Sequence, residues 1–387
     1  MPEIIVGCAL SDVNRADLPR GLRVPERLAD YVKRMSDRVG GPKVSLQLQP
    51  EDVWTTPVVF PDQFTSREQN RWWKTFHANA RLQLLFAAPN ILVGVHQPLQ
   101  RIDVLSSNFY KKYESIEETK AAMDFAEFIG ADYFVFHLAQ VDKWSWERRD
   151  QIAKALKIFQ VFATYYHTKQ MNFTPCIELL EFPRFPSNGG ELYQLMDGCR
   201  QILPETKIAF DVSHLYSSFR RMRSTGHLPD TSVTFVQVLQ FALEQNWRDI
   251  YLYQLGGSWE SEHHAVPGLH PQEDPRRFPV KLRESATTYD EMGELDLNAT
   301  LEFITEYSIR KNRDLHLVLE IFDRDIDQSL EAARMIRADL EERAAEPSHV
   351  AAMVHLESKP VTRRGPSAKK SKGKTHASRG HRTRKKK

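Results

Sequence analysis

Residues 173–214 read FTPCIELLEFPRFPSNGGELYQLMDGCRQILPETKIAFDVSH, and this stretch holds one complete turn of the pattern that organises the chain. Phe173–Leu180 is a short apolar run of the kind that forms a buried strand. Gly190–Ile202 has the apolar spacing of an amphipathic helix, and Lys207–Val212 returns to a strand. A strand, a helix and a second strand in this order make one crossover unit of a parallel sheet. Working outward, six more strand-like runs appear at Ile4–Leu10, Val44–Leu48, Ile91–His96, Tyr133–His137, Ile250–Leu255 and Leu315–Ile321. Helical periodicity lies between runs over Ser115–Ile129, Trp146–Thr168, Ser232–Gln245 and Asp296–Lys311, and after the last run over Asp327–Arg343. Ser115 followed three residues later by Glu118 has the form of a capping box.

Eight strand–helix units over about 340 residues predict an α/β chain folded as one (β/α)8 TIM barrel, residues 1–345. No GxGxxG follows the first strand, which argues against a doubly wound dinucleotide-binding sheet, and no repeat has solenoid spacing. Gln49–Asn70 and Gly256–Met292 are long polar connections that follow strands and are expected to wall a cleft at the barrel mouth. Residues 346–387 lose aliphatic periodicity and read as a disordered basic tail.

The formal charge of +2 conceals an asymmetry. Residues 358–387 hold 13 Lys or Arg and no acid, leaving 40 basic against 51 acidic residues before them. An acidic body does not attract a polyanion over its whole surface, so any such affinity must come from the tail or from a local patch. Cys8, Cys176 and Cys199 have no CxxC spacing and imply no disulfide framework. The N-terminus MPEIIVGCALSDVN lacks a basic n-region, and no segment reaches the roughly 18 apolar residues of a membrane helix. The expectation is a cytoplasmic protein without membrane contact, with a nucleoid or nuclear association through the tail.

Chemistry is read from the strand ends. VGVHQP places His96, FVFHLA places His137, PCIELLE places Glu178, IAFDVSH places Asp211 and LVLEIF places Glu320. A charged group closing an apolar strand is costly unless it is paired or bound to metal, and in a barrel these ends converge on one mouth. His214 follows Asp211 by three residues, and SWESEHHAVPG supplies Glu262 and His264, with Gly268 completing the motif. A divalent metal is the simplest partner for several carboxylates pointed at one another. Taken singly, each residue has a plainer reading: a lone histidine as a core residue, Glu178 or Glu320 in an ion pair with an arginine, Asp211 as a helix cap for His214. Trp72, Trp73, Trp144 and Trp146 read as packing aromatics, His263 and His270 as loop residues, and Asp323 with Arg324 as a helix-start ion pair.

On these motifs the chain resembles the xylose-isomerase-like barrel superfamily over roughly residues 1–345, and in its strand ends it is most similar to the endonuclease IV family. The resemblance implies a TIM barrel with divalent ions, zinc first and Mn or Mg as alternatives, at its mouth. It implies that His96 and His137 share one ion with Glu178, that Asp211 and Glu320 hold a second bridged by Glu178, and that His214, Glu262 and His264 hold a third. The family has Asp where this chain has Glu262, and a histidine where the seventh strand, IYLYQLGG, places Gln254. Glutamine is a weak neutral oxygen donor, so the second ion is expected to be lost, harder, or completed by water.

The activity implied is metal-dependent phosphodiester hydrolysis at abasic sites in DNA, with Glu178 and Glu320 as catalytic carboxylates. Lys369, Lys370, Lys372, Lys374, Arg382, Arg384, Lys385, Lys386 and Lys387 are expected to meet the phosphate backbone of DNA without reading sequence. The alternative is a sugar or sugar-phosphate isomerase or epimerase, in which Glu178 and Glu320 exchange a proton with carbon beside a metal-polarised oxygen. A third reading is a barrel without activity that acts through its tail. Oligomeric state is not written in the sequence.

Overall fold

In the computed structural model, the described residues are 2–11, 25–49, 88–98, 102–138, 148–228, 230, 232–259, 262–265, 297–321 and 326–346. The barrel strands are β1 (Ile4–Ser11), β2 (Val44–Gln49), β3 (Ile91–His96), β4 (Tyr133–Phe136), β5 (Thr174–Glu178), β6 (Lys207–Asp211), β7 (Ile250–Leu255) and β10 (Leu315–Leu319). Every neighbouring pair is parallel, and β1 pairs with both β2 and β10, so the sheet closes in the order β1-β10-β7-β6-β5-β4-β3-β2. All eight expected strands are present, within a few residues of the expected limits.

Eight helices are found among the described residues: α1 (Pro25–Val39), α2 (Phe109–Ile129), α3 (Arg148–Lys169), α4 (Gly189–Ile202), α5 (Val212–Ser224), α6 (Phe235–Asn246), α7 (Leu297–Tyr307) and α8 (Ile326–Ala345). The expected capping box at Ser115 is overturned. Helix α2 starts six residues earlier, capped by Asn108, whose side chain accepts from the backbone N–H groups of Tyr110 and Lys111. Ser115 lies inside the helix; its hydroxyl donates to the Lys111 carbonyl at 2.7 Å and accepts from the Asp103 N–H at 2.8 Å, tying the β3–α2 connection to the helix. The first helical residues, Phe109–Glu114, are polar or aromatic, so apolar periodicity could not mark the true start. Likewise α6 begins after Thr234, which forms a capping box with Gln237, and not at Ser232. Gly256–Met292, read as a long polar connection, contains an antiparallel pair, β8 (Gly257–Trp259) with β9 (Glu262–Ala265).

The interior explains how the strands aim their ends. Side chains two apart on a strand share a face. Ala9, Tyr133, Val135, Cys176, Ala209, Leu252 and Val318 form one fully buried cluster. Stepping two residues further along β4, β5, β6, β7 and β10 leads from Val135, Cys176, Ala209, Leu252 and Val318 to His137, Glu178, Asp211, Gln254 and Glu320. The layer below holds Tyr133, whose ring lies 5.4 Å from His316 and 5.7 Å from Tyr251, while His316 Nε2 and Ser45 Oγ are 2.7 Å apart. Gly94 makes room for that plug, since a Cβ there would sit 1.9 Å from the Tyr133 ring. The barrel is therefore closed below and polar above, as a packed core with a reactive mouth requires.

The outer faces of the strands bury against helices; Phe136 packs on Phe159 and Phe162 of α3, with ring centroids 5.9 and 5.5 Å away. Helix α8 is pinned to α7 by Arg343, which contacts Asp339 at 2.5 Å and Glu302 at 3.2 Å. No helix among the described residues is long and apolar enough to cross a membrane. Cys8, Cys176 and Cys199 are buried and form no disulfide among the described residues.

Candidate metal centre at the barrel mouth

Four adjacent strands, β3 to β6, deliver a histidine or carboxylate each to the same end of the barrel. His96 closes β3, His137 directly follows β4, Glu178 closes β5 and Asp211 closes β6. Glu178 is the hub. Its Oε2 lies 2.8 Å from His96 Nε2 and 2.6 Å from His137 Nε2, and its Oε1 lies 3.2 Å from His214 Nδ1. The His96 and His137 rings meet edge to face at 4.6 Å.

Asp211 performs two tasks at once. It caps α5 through Oδ1, which accepts the His214 backbone N–H at 2.6 Å, and its Oδ2 lies 3.4 Å from His214 Nδ1. The cap and the site are thus one arrangement: because α5 starts directly at the end of β6, its third residue is turned back over the mouth. His96 Nδ1–H donates to the Gln97 carbonyl at 2.5 Å, which leaves Nε2 as the atom facing Glu178.

Burial sets the charge states. His137 is pushed down to about 4 by its removal from water, which outweighs the attraction of Glu178. For His96, burial is the largest single influence and acts downward, yet the charge and hydrogen bond of Glu178 carry it up to about 9. Burial also opposes protonation of His214, which Asp211 and Glu178 nevertheless push up to about 10. Glu178 is held well below the usual carboxylate range because the two imidazoles of His137 and His96 outweigh its burial. Asp211 is pushed up to about 8 by burial and by the neighbouring charges of Glu320 and Glu178.

The donor set fits divalent metal. His96, His137 and Glu178 offer ligand atoms within 4.8 Å of one another, and so do Glu178, Asp211 and His214. Two imidazole nitrogens converge on one oxygen of Glu178 and a third faces its other oxygen, in a dry site where a cation can take the place of the imidazole protons. Glu178 belongs to both groups.

Glu320 directly follows β10 and is buried, but it stands outside both ligand groups. Its Oε1 accepts from three glutamine amides: Gln47 at 2.5 Å, Gln49 at 3.3 Å and Gln254 at 2.7 Å. Burial and the charge of Glu178 raise its pKa. Gln254 faces the mouth, in register with Asp211 on β6, and serves Glu320 as an amide donor. Gln47 and Gln49 were not singled out by the sequence analysis. Their signal is the alternation in Ser45-Leu-Gln-Leu-Gln49, where polar side chains fall on the inward face of a strand buried on both sides.

Glu262 and His264 lie on β9, and their side chains, like that of His263, fall outside the described residues. So do Trp72, Trp73, Trp144, Trp146, Gly268, His270, Asp323, Arg324 and the whole tail from residue 347, including its basic residues.

No family model matches the chain, and no curated protein matches it in sequence. Solved structures do match. A proposed xylose isomerase from Rhodospirillum rubrum aligns with a TM-score of 0.54 at 15% identity, over 89% of this chain and 100% of that one. D-allulose 3-epimerase from Methylomonas sp. aligns with a TM-score of 0.50 at 11% identity, over 89% and 98%. SacUVDE aligns with a TM-score of 0.50 at 13% identity, over 88% and 100%. The likeness is one of fold: the chain and these proteins share a TIM barrel.

Proposed function

We propose that this protein is a divalent-metal-dependent hydrolase of phosphodiesters, with abasic DNA as its substrate. The observation that carries the reading is Glu178, which presents one oxygen to His96 and His137 and the other to His214. A mononuclear sugar site has no use for a carboxylate shared between two donor groups. When bound, divalent cations held by His96, His137, Glu178, Asp211 and His214 supply Lewis-acid neutralisation of charge at phosphorus and at the leaving oxygen. Glu262 and His264 are proposed to add a further ion at the same mouth.

The protein's own groups do the remainder. Burial of His96, Glu178, Asp211, His214 and Glu320 keeps bulk water out, so that a single held water would attack phosphorus as the bond to the leaving oxygen breaks. The three amides that donate to Glu320 Oε1 fix the orientation of that carboxyl. With its pKa raised, Glu320 is suited to protonate a departing oxygen. The tail lysines and arginines are proposed to raise affinity for a polyanion through counterion release.

The test is nicking of an abasic duplex by purified protein, with and without chelator, beside a Glu178→Gln variant. Chelator-sensitive nicking that the variant lacks supports the proposal, and no nicking in any divalent metal sinks it. A sugar epimerase is the second reading, favoured by the presence of two buried carboxyls, Glu178 and Glu320, at the same end of the barrel. Elemental analysis that finds one ion per chain, together with interconversion of D-allulose and D-fructose, would establish it instead.

A further inference from the structure

Four glutamines at the barrel mouth are each satisfied at one end of the amide and unsatisfied at the other. Gln47 and Gln49 of β2 and Gln254 of β7 are buried at 0% exposure, and each turns an amide N–H to Glu320 Oε1. That contact decides which end of each amide is which. The carbonyl oxygen on the same carbon is the end left over, and in all three residues it is buried and accepts no hydrogen bond among the described residues. Gln97 is the converse. It directly follows β3, its Oε1 accepts the His137 backbone N–H at 2.8 Å, and its Nε2 is buried with no acceptor among the described residues.

A buried amide atom without a partner is costly, and apolar side chains of the same shape would close the barrel without that cost. The chemistry of the unused atoms selects what would meet them. Three carbonyl oxygens beside a carboxyl repel a phosphate, so this arc does not take the anionic part of a substrate. A cation site would turn carboxylate and carbonyl oxygens to a common point, whereas here Glu320 Oε1 receives the N–H ends. The fitting group is neutral and rich in hydrogen-bond donors. Gln97 adds a donor that needs an acceptor, and a hydroxyl serves both, since it donates to a carbonyl and accepts from an amide. Several hydroxyls on one compact frame describe a sugar.

We propose that Gln47, Gln49, Gln254 and Gln97 form a subsite for a sugar ring, the three carbonyl oxygens accepting from its hydroxyls and Gln97 Nε2 donating to one of its oxygens. The inference rests on the reading of the mouth as the substrate site, and not on which reaction occurs there. It sets the sugar of the substrate, and not its phosphate, beside Glu320. The ring belongs to a free sugar or to the deoxyribose of an abasic strand, and the two are told apart by experiment.

Binding is measured without turnover, by isothermal titration calorimetry of the full-length protein in chelator. One arm titrates D-allulose and its monodeoxy analogues. The other compares an oligonucleotide duplex carrying a 2-deoxyribose abasic residue with the same duplex carrying tetrahydrofuran, which lacks the C1 hydroxyl. In the wild-type protein, loss of a bound hydroxyl is expected to weaken binding by roughly three- to tenfold, because a buried carbonyl is left unpaired again. Gln47→Met, Gln49→Met and Gln254→Met should each weaken the parent ligand by a similar factor. For the hydroxyl that the lost glutamine served, parent and deoxy ligand should then bind alike. A purely structural glutamine would not remove that discrimination. Discrimination in either arm supports the subsite, and the arm that shows it names the source of the ring. Absence of binding in both arms overturns the proposal. Equal binding of parent and deoxy ligands by the wild-type protein in both arms also overturns it, leaving ordered water on the amides. The wild-type ligand series decides this even where a methionine variant fails to fold. Because no catalysis is read, failure of the nicking assay and failure of sugar binding are separate results.

Discussion

If Glu178 joins both ligand groups, one substitution there should abolish all metal-induced stabilisation at the described site, whereas loss of a histidine from one group should abolish only part. A ligand that binds only the folded state at a hundredfold over its Kd adds about 2.7 kcal/mol. Unfolding entropy of about 2.1 cal/mol/K per residue gives, for a body of roughly 350 residues, about 0.7 kcal/mol/K. One ion then raises the melting temperature by about 4 °C and two by about 8 °C. Metal-stripped protein titrated with Zn²⁺ or Mn²⁺ and followed by differential scanning fluorimetry should show the full shift. Glu178→Gln keeps the shape but removes the shared charge, and should show almost none. His96→Ala spares Glu178, Asp211 and His214 and should keep about half. Retention of more than half of the shift by Glu178→Gln would refute the bridging arrangement, since the donors would then be bound without their common carboxylate.

Three further outcomes follow from particular contacts. Arg343→Ala removes a buried guanidinium from Asp339 and from Glu302, which keeps its pairing with Arg310, and should cost about 1.5–3 kcal/mol, read as a lower urea midpoint at unchanged m-value. His316, lowered to about 3 by burial, is neutral in the folded barrel and charges on unfolding. Its contribution to stability is complete above about pH 6.5 and is lost as pH falls towards 3, at up to about 1.4 kcal/mol per pH unit. His316→Gln should flatten the pH dependence of unfolding free energy in that window, and an unaltered slope would exclude His316 as its source. Gln254→His removes one donor from Glu320 Oε1 and sets an imidazole beside Asp211, so metal retained after dialysis should rise, as counted by elemental analysis; an unchanged count would show that this strand position does not reach the ions.

How much of this was legible in the sequence depends on whether one strand carries the signal alone. Apolar β-branched runs announce a strand buried on both faces, so all eight barrel strands could be read, and with them the convergence of His96, His137, Glu178 and Asp211. Helix starts were harder, because Phe109–Glu114 lacks the apolar spacing that a window detects, while its cap depends on the single side chain of Asn108. The glutamines escaped notice for another reason. Gln47 and Gln49 are ordinary residues in an ordinary strand until barrel closure brings β2 and β10, both neighbours of β1, to face one carboxylate. Nothing local in SLQLQ distinguishes a polar side chain that meets water from one that meets Glu320.

That closure also divides the mouth. The nitrogen and carboxylate donors come from β3, β4, β5 and β6, which are adjacent, and from the helix that β6 feeds. Glu320 and its amides come from β10, β7 and β2, on the opposite arc. Charge that attracts cations is gathered on one side, while the carboxyl on the other is surrounded by neutral donors. Three N–H groups on one oxygen lower its basicity without supplying the full charge of a cation, and burial beside Glu178 pushes the other way, with a raised pKa as the result. Glu320 is thereby suited to hold a proton on the arc opposite the candidate ligand groups. A substrate atom between the two arcs would meet positive charge on one face and a proton donor on the other. Gln254 favours this division, because an imidazole at that position would remove one of the three amides that donate to Glu320 Oε1.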